Sequence, residues 1–158
     1  MNLLYRGSRD GFEADDFHRL CDKKDKTLTV IQTTKGYIFG GFTNQSWSSG
    51  DVWRHDNIAF LFSLVNKFNK PFLCNIVNYS KAQLSNPKAG PCFGGSKPYS
   101  SENCDIYISD KCNQNEKSSS KLNAYEISDD DLHDPNGFYL CDTNHFQVKE
   151  IEVFRFKK

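Results

Sequence analysis

The feature that most constrains the fold is the alternation of apolar and polar side chains in the last stretch of the chain, FQVKEIEVFRF over 146–156. A period of two places every second side chain on the same face of a strand, so the run predicts a terminal strand that has one buried face and closes a sheet. The apolar positions change phase once, at Lys149-Glu150. An extra residue there, which is a β-bulge, would bring both phases to the same face.

Earlier segments predict two β-hairpins. The stretch 27–43 alternates, is rich in β-branched and aromatic residues, and turns at Lys35-Gly36. Apolar groups on both faces of these strands predict that they are central in their sheet rather than at its edge. Gly40-Gly41 within the second strand predicts a bulge or a close backbone approach. The apolar runs 58–65 and 71–77 predict the second hairpin.

The second half of the chain predicts shorter elements. Segments 104–109 and 123–128 have strand patterns, and the four residues 138–141 predict one more short strand. The glycine-rich segment 90–96 predicts a tight turn. The polar segment 110–120 has little to bury, so we expect a mobile surface loop there.

One amphipathic helix is predicted near the start of the chain, over about 11–22, where apolar side chains recur at helical spacing. Asp10 is placed to cap this helix, and Glu13 three residues later would complete a capping box. About eight strands and one clear helix predict an α+β chain that is mainly β.

Charge and hydropathy exclude several classes of protein. The chain has 20 basic and 20 acidic residues, so nothing predicts electrostatic capture of nucleic acid or of an acidic membrane. No apolar run approaches the ~20 residues of a membrane helix, and the N-terminus has no apolar signal-peptide region. The 158 residues predict a single domain, 1–158, and the abrupt start in LLYR suggests that it was excised from a longer protein.

Six cysteines raise the question of the redox compartment. Their number is even, as a disulfide framework requires, but their spacings are long and irregular and no export signal is visible. Reduced thiols in the cytoplasm are therefore the first interpretation. The alternative is an exported, disulfide-bonded, lectin-like sandwich.

No metal site or cofactor is predicted. Cys141 and His145, with His133 upstream, provide one mixed pair of ligands, whereas structural zinc sites show two close pairs. The acidic segment 129–137 lacks the alternating acids and the terminal glutamate of a calcium-binding EF-hand loop. A solvated acidic turn explains that segment.

No catalytic residue is assigned either. The chain has no G-x-S-x-G motif, and Glu150 and Glu152 fit the polar face of a half-exposed strand as well as they fit acid–base chemistry. Cys92, in a glycine-rich segment, and Cys112, in the polar segment, leave one alternative open. This alternative is a thiol-based antioxidant or hydrolytic enzyme that uses a loop cysteine.

Five segments taken in order resemble a known family. They are LLYRGSRDGF, TLTVIQTTKGYIFGGFTNQSW, NIAFLFSL, GPCFGG leading into CDIYIS, and NHFQVKEIEVFRF. Together, over about 3–156, the chain resembles the TLDc domain of oxidation-resistance proteins. The resemblance implies a two-sheet antiparallel β-sandwich with a few short flanking helices. It also implies a link to protection against oxidative damage, and some members of the family bind the vacuolar proton-pumping ATPase.

The function expected from these observations is that of a non-catalytic protein-interaction domain. The polar loop 44–57 contains Trp47 and Trp53, and tryptophan is enriched at binding hot spots, so these two residues and the exposed helix face are the predicted partner-binding surface. The alternative that either ring folds back on the sandwich stays open, more so for Trp47. The vacuolar ATPase is the partner that the resemblance implies.

Overall fold

Two antiparallel sheets form the domain within residues 1–95 and 103–157, which are the residues that the computed structural model describes. In spatial order, the seven-stranded sheet contains β1 (Asn2–Arg6), β13 (Val148–Arg155), β2 (Thr27–Thr33), β3 (Ile38–Thr43), β5 (Phe60–Val65), β6 (Phe72–Ile76) and β11 (Tyr125–Ile127). The six-stranded sheet contains β12 (His145–Phe146), β10 (Ser118–Ser119), β9 (Ile106–Ser109), β8 (Ala89–Phe93), β7 (Gln83–Ser85) and β4 (Val52–Arg54). The mainly β, two-sheet antiparallel architecture with a few short helices is confirmed.

The terminal run shows how the chain passes between the sheets. Its bulge is confirmed, because the register of β13 against β2 shifts between Val148 and Glu150. The run is two strands, however: Phe146 pairs in the six-stranded sheet, and β13 pairs in the seven-stranded one. β13 also lies between β1 and β2 rather than at the edge, so the edge of this sheet is formed by the N-terminal strand.

Gly40 and Gly41 mark a close approach on both faces of β3. They pair with β2 without interruption, and the register shift of β3 lies elsewhere, between Ile38 and Phe39. A Cβ on Gly40 would lie 1.8 Å from the carbonyl oxygen of Thr29, and one on Gly41 would lie 2.9 Å from the Phe93 ring of the other sheet. Of the two predicted explanations, the close approach applies.

The helical segment is interrupted where one helix was predicted. α1 (Gly7–Asp10) ends at Gly11, whose φ of 106° is open to glycine, and α2 (Ala14–Cys21) follows. The cap of α2 is Glu13, which exchanges hydrogen bonds with Asp16, rather than the predicted Asp10. The Asp10 carboxylate instead accepts hydrogen bonds from the Arg6 N–H and the Arg9 guanidinium.

Three predictions in the second half are wrong. Residues 90–93 of the glycine-rich segment 90–96 belong to β8, where they lie between two strands instead of forming a tight turn, and Ser96 lies outside the described residues. In the predicted mobile loop 110–120, Cys112 packs into the core and β10 forms a strand. Residues 138–141 form no strand, although Leu140 and Cys141 are buried.

We expect Gly40→Ala to destabilise the fold by about 3 kcal/mol, since the added methyl group would collide with backbone rather than with a movable side chain. Gly50→Ala is the matched control, because its Cβ would meet only the Ser48 hydroxyl at 3.8 Å. The free energies of unfolding in urea provide the comparison. Equal losses in the two variants would contradict the close approach at Gly40.

Candidate protein-interaction surface

The outer face of the seven-stranded sheet is apolar although it points away from the other sheet. Strand alternation sends Ile31 and Leu61 into the core and sends Val30 and Phe62 outward. We call this outer surface the apolar face. It consists of the side chains of Leu28, Val30, Phe42, Phe60, Phe62, Leu64, Leu73, Phe154 and Phe156.

Cross-strand register assembles the apolar face from neighbouring strands. Leu28 pairs with Phe42, and Phe42 pairs with Phe60, so these side chains stand side by side. The Phe42 and Phe60 rings stack with centroids 5.4 Å apart, and Phe156 meets Phe42 edge-on at 5.8 Å. Such aromatic pairs add about 0.5–1.5 kcal/mol to the burial of their area, so these ring contacts help to hold the side chains of the face in place.

The apolar face is open to solvent at its margins, whereas its central side chains are half-buried or buried. Leu64 is 55% exposed, Leu73 50% and Phe156 40%, and together with their neighbours they line a shallow groove of about 500 Å³. Polar groups border it: an ion pair of 2.7 Å joins Arg6 to Glu152 on one side. A contiguous exposed apolar patch with a polar rim is the anatomy of a protein-binding site.

The sequence contained a signal for this face. Apolar side chains on both faces of 27–43 predicted central strands, and β2 and β3 are indeed interior in the order of their sheet. A strand that is central in its sheet can nevertheless have one face that no other element covers. Among residues 1–95 and 103–157, no helix or strand is packed over Leu64, Leu73 and Phe156, which is why they are exposed.

Trp47 lies in the core rather than on the loop surface. It is 1% exposed, its ring meets Phe17 at 5.2 Å and Phe93 at 5.6 Å, and its Nε1–H donates to the Thr27 hydroxyl at 2.9 Å. Main-chain bonds with Lys23 and Lys24 fasten the same residue behind α2. In this conformation a partner cannot reach the indole.

Trp53 lies in β4, at the edge of the six-stranded sheet, where a loop was predicted. It is half-buried: its ring packs on Gly95, and the ammonium group of Lys81 lies 4.9 Å from the ring centroid. A partner-binding role of the tryptophans stays a prediction, and it now rests on Trp53. The exposed residues of α2, which include Asp15 and Arg19, are the helix face proposed alongside it.

All six cysteines are buried and unbridged, including the two predicted to be in loops. Cys92 lies in β8 with no exposed surface, and Cys112 is 2% exposed. Burial raises the pKa of the Cys112 thiol to about 12. In the closed structure neither thiol has the standing solvent access that a catalytic cysteine nucleophile requires.

One cluster contains the residue types of a hydrolase but in an unsuitable order. The Ser49 hydroxyl donates to Asp22, and the other oxygen of Asp22 lies 2.7 Å from Nδ1 of His18. In a catalytic triad the histidine stands between the nucleophile and the acid. Here the acid is in the middle, and Nε2 of His18 faces the carbonyl oxygens of Asn86 and Ala89. The cluster therefore fastens α2 to neighbouring loops.

In residues 1–95 and 103–157, no group of three or more histidine, cysteine or acidic side chains is arranged to hold a metal ion. His133 and His145 are exposed, whereas Cys141 is buried. The helices of the same part of the chain are too short or too polar to cross a membrane.

Asp105 joins the two sheets through a buried carboxylate. It precedes β9, and it accepts hydrogen bonds from the backbone N–H groups of Asn123, Ala124 and Tyr125 at 2.6, 3.0 and 3.0 Å, at the start of β11. Burial raises the pKa of this carboxyl to about 7, although the three N–H donors oppose that rise. Asp105 is a structural link that sequence patterning did not reveal.

The chain matches a known family along almost its whole length. A family model of the TLDc domain covers residues 1–157, and the chain belongs to this family. The chain is similar to the MTOR-associated protein MEAK7 of Danio rerio, with 39% identity over 67 residues, which are 40% of this chain and 15% of that protein. It is also similar to the protein of that name from Mus musculus, with 30% identity over 94 residues, or 52% of this chain and 20% of that protein. The aligned segments thus span a fifth or less of these relatives.

We expect Trp47→Ala to cost about 3–5 kcal/mol of folding free energy, because it leaves a cavity between α2 and both sheets. Trp53→Ala is the matched control at a half-buried ring, and it should cost about 1 kcal/mol. Urea unfolding measures both losses. A Trp47 variant as stable as the Trp53 variant would show that the ring is not part of the core.

Asp105 should make stability depend on pH. Its folded pKa of about 7 exceeds the unfolded value of 3.8, so between these values the folded state holds a proton that the unfolded chain releases. The stability that this bound proton contributes is fully present below pH 3.8 and is lost as the pH rises through about 7. Across that range the free energy of unfolding falls by at most ~1.4 kcal/mol per pH unit.

Asp105→Asn lacks this proton and is the control for that slope. The measurement is the free energy of unfolding of both proteins from about pH 5 to about pH 8. The advantage of the wild type over the variant should shrink as the pH rises and become constant above the folded pKa. A difference that is independent of pH would contradict the assignment.

Proposed function

We propose that this chain is a protein-interaction domain of the TLDc type that binds its partner through the apolar face. The observation that carries the proposal is the exposed margin of that face, where Leu64, Leu73 and Phe156 border an aromatic platform. Well-packed aromatic and aliphatic anchors inside a polar rim are what a binding hot spot requires. Membership of the TLDc family supports this role.

Two partners are proposed on different grounds. The vacuolar proton-pumping ATPase follows from the family resemblance, together with a role in protection against oxidative stress. The relatives from Danio rerio and Mus musculus are described as MTOR-associated, which makes MTOR the second candidate. The aligned segments span a fifth or less of those relatives, so both partners are proposed for this domain rather than inherited from whole proteins.

We propose that the domain works in the cytoplasm. Six cysteines without a disulfide support this proposal, because free thiols persist in a reducing compartment. The thiol-enzyme alternative loses its main support, since both of its candidate cysteines are buried and the Cys112 thiol is held in its neutral form by a raised pKa.

The binding test compares two surfaces of one domain. Purified vacuolar ATPase catalytic sector and purified MTOR are titrated separately against the wild type and against Leu73→Asp combined with Phe156→Asp. Both positions are at least 40% exposed, so these changes should leave the fold intact. We expect at least one partner to bind the wild type and the double variant to bind it about ten-fold or more weakly.

Val52→Asp on β4 is the matched control, because Val52 is an exposed apolar residue of the other sheet. It should bind like the wild type. Failure of both partners to bind would overturn the proposed partners. Binding that the double variant retains would overturn the assignment of the apolar face.

A further inference from the structure

We propose that Cys92 and Cys104 form a reversible disulfide when the folded domain meets a peroxide, so that this pair is a redox modification site. The two thiols belong to a small cluster separate from the main core, together with Leu84 and Ala89. The pair differs from the other four cysteines, which belong to the main core cluster. The proposal is independent of the apolar face and of its partner.

Strand register explains where the pair lies. Trp53, Leu84, Cys92 and Tyr107 are paired in one row across β4, β7, β8 and β9. Phe93, the next residue after Cys92, points into the main core, so Cys92 points to the outer face of the six-stranded sheet. Among the hydrophobic residues that the structure describes, only Trp53 and Tyr107 pack against this cluster, and both rings are partly buried.

The two side chains are in direct contact. A side-chain hydrogen bond joins Cys104 to Cys92, and the Cys92 thiol donates in turn to the Gly90 carbonyl oxygen at 3.4 Å. This hydrogen bond and burial both raise the pKa of the Cys104 thiol. The Cys104 thiol is therefore neutral and slow to react, and oxidation of the pair awaits a local opening of the cover that Trp53 and Tyr107 form.

The reaction balances with one peroxide molecule. Two S–H bonds and the O–O bond of hydrogen peroxide break, and one S–S bond forms. The sulfurs lose two electrons to the peroxide oxygens, which take up the two thiol protons and leave as two water molecules. The product ties β8 to the segment that leads into β9, and an added dithiol reverses it by exchange.

The chain provides a convenient readout. Trypsin cleaves after Lys88 and Lys111 but not between Lys97 and Pro98, so the peptide 89–111 contains Cys92 and Cys104 and no other cysteine. The folded protein is treated with hydrogen peroxide, alkylated without reductant and digested with trypsin. The mass of the peptide 89–111 is then measured by mass spectrometry. We expect this peptide to escape alkylation and to be about 2 Da lighter than its reduced form, and dithiothreitol to restore two alkylation sites.

Cys92→Ala and Cys104→Ala should each abolish the lighter peptide, whereas Cys112→Ala, which alters a cysteine of the main core, should retain it. The mass of the wild-type peptide alone shows whether Cys92 and Cys104 form a disulfide, so the test does not depend on how well the variants fold. Separate sulfinic or sulfonic acids, a disulfide with another cysteine, or full alkylation after peroxide would each overturn the proposal.

Discussion

The packing of Trp47 is the contact on which the rest of the structure depends. Its indole fills the space between α2, β2 and β8, so a single side chain joins the helix to both sheets. The buried N–H is satisfied by the Thr27 hydroxyl, which removes the cost of placing a polar atom in a core. Since the main chain of Trp47 also bonds to Lys23 and Lys24, the loop that contains it cannot leave without releasing α2.

This central packing makes the apolar face possible. The inner face of the seven-stranded sheet is anchored by its contacts with the other sheet, among them that of Gly41 with Phe93, so the outer face is not needed to hold the fold together. Exposed Leu64 and Leu73 therefore contribute little to stability, which agrees with the binding role proposed for this face. Gly40 lets the backbone of β2 and the ring of Phe62 approach β3 closely.

The sequence predicted β2, β3, β5 and β6 well because their apolar and β-branched runs are bounded by turn residues, but it missed β4, which lies in a segment predicted as a loop. It also located the bulge at Lys149-Glu150, since a change of phase is visible in the residues themselves. It failed where burial depends on distant partners. Cys92, in a glycine-rich segment, is buried between β7 and β9, and Cys112, in a polar segment, accepts a main-chain hydrogen bond from Val148, and no local pattern reveals either contact. Of the proposed site, the aromatic strands were visible, but their exposure depends on what covers them in three dimensions.

Trp47 and Trp53, six residues apart, also show that the local sequence does not reveal where a side chain is buried. Both lie in a polar segment, yet one ring joins the two sheets and the other covers the outer cluster that contains Cys92 and Cys104. The apolar face and this cluster lie on the outer faces of different sheets, with the Trp47 core between them. A chemical change at the thiol pair would therefore leave the binding platform in place unless it altered that core. Two routes connect the surfaces. Phe93, the neighbour of Cys92, contacts Trp47. Asp105, the neighbour of Cys104, is hydrogen-bonded to the start of β11 in the other sheet.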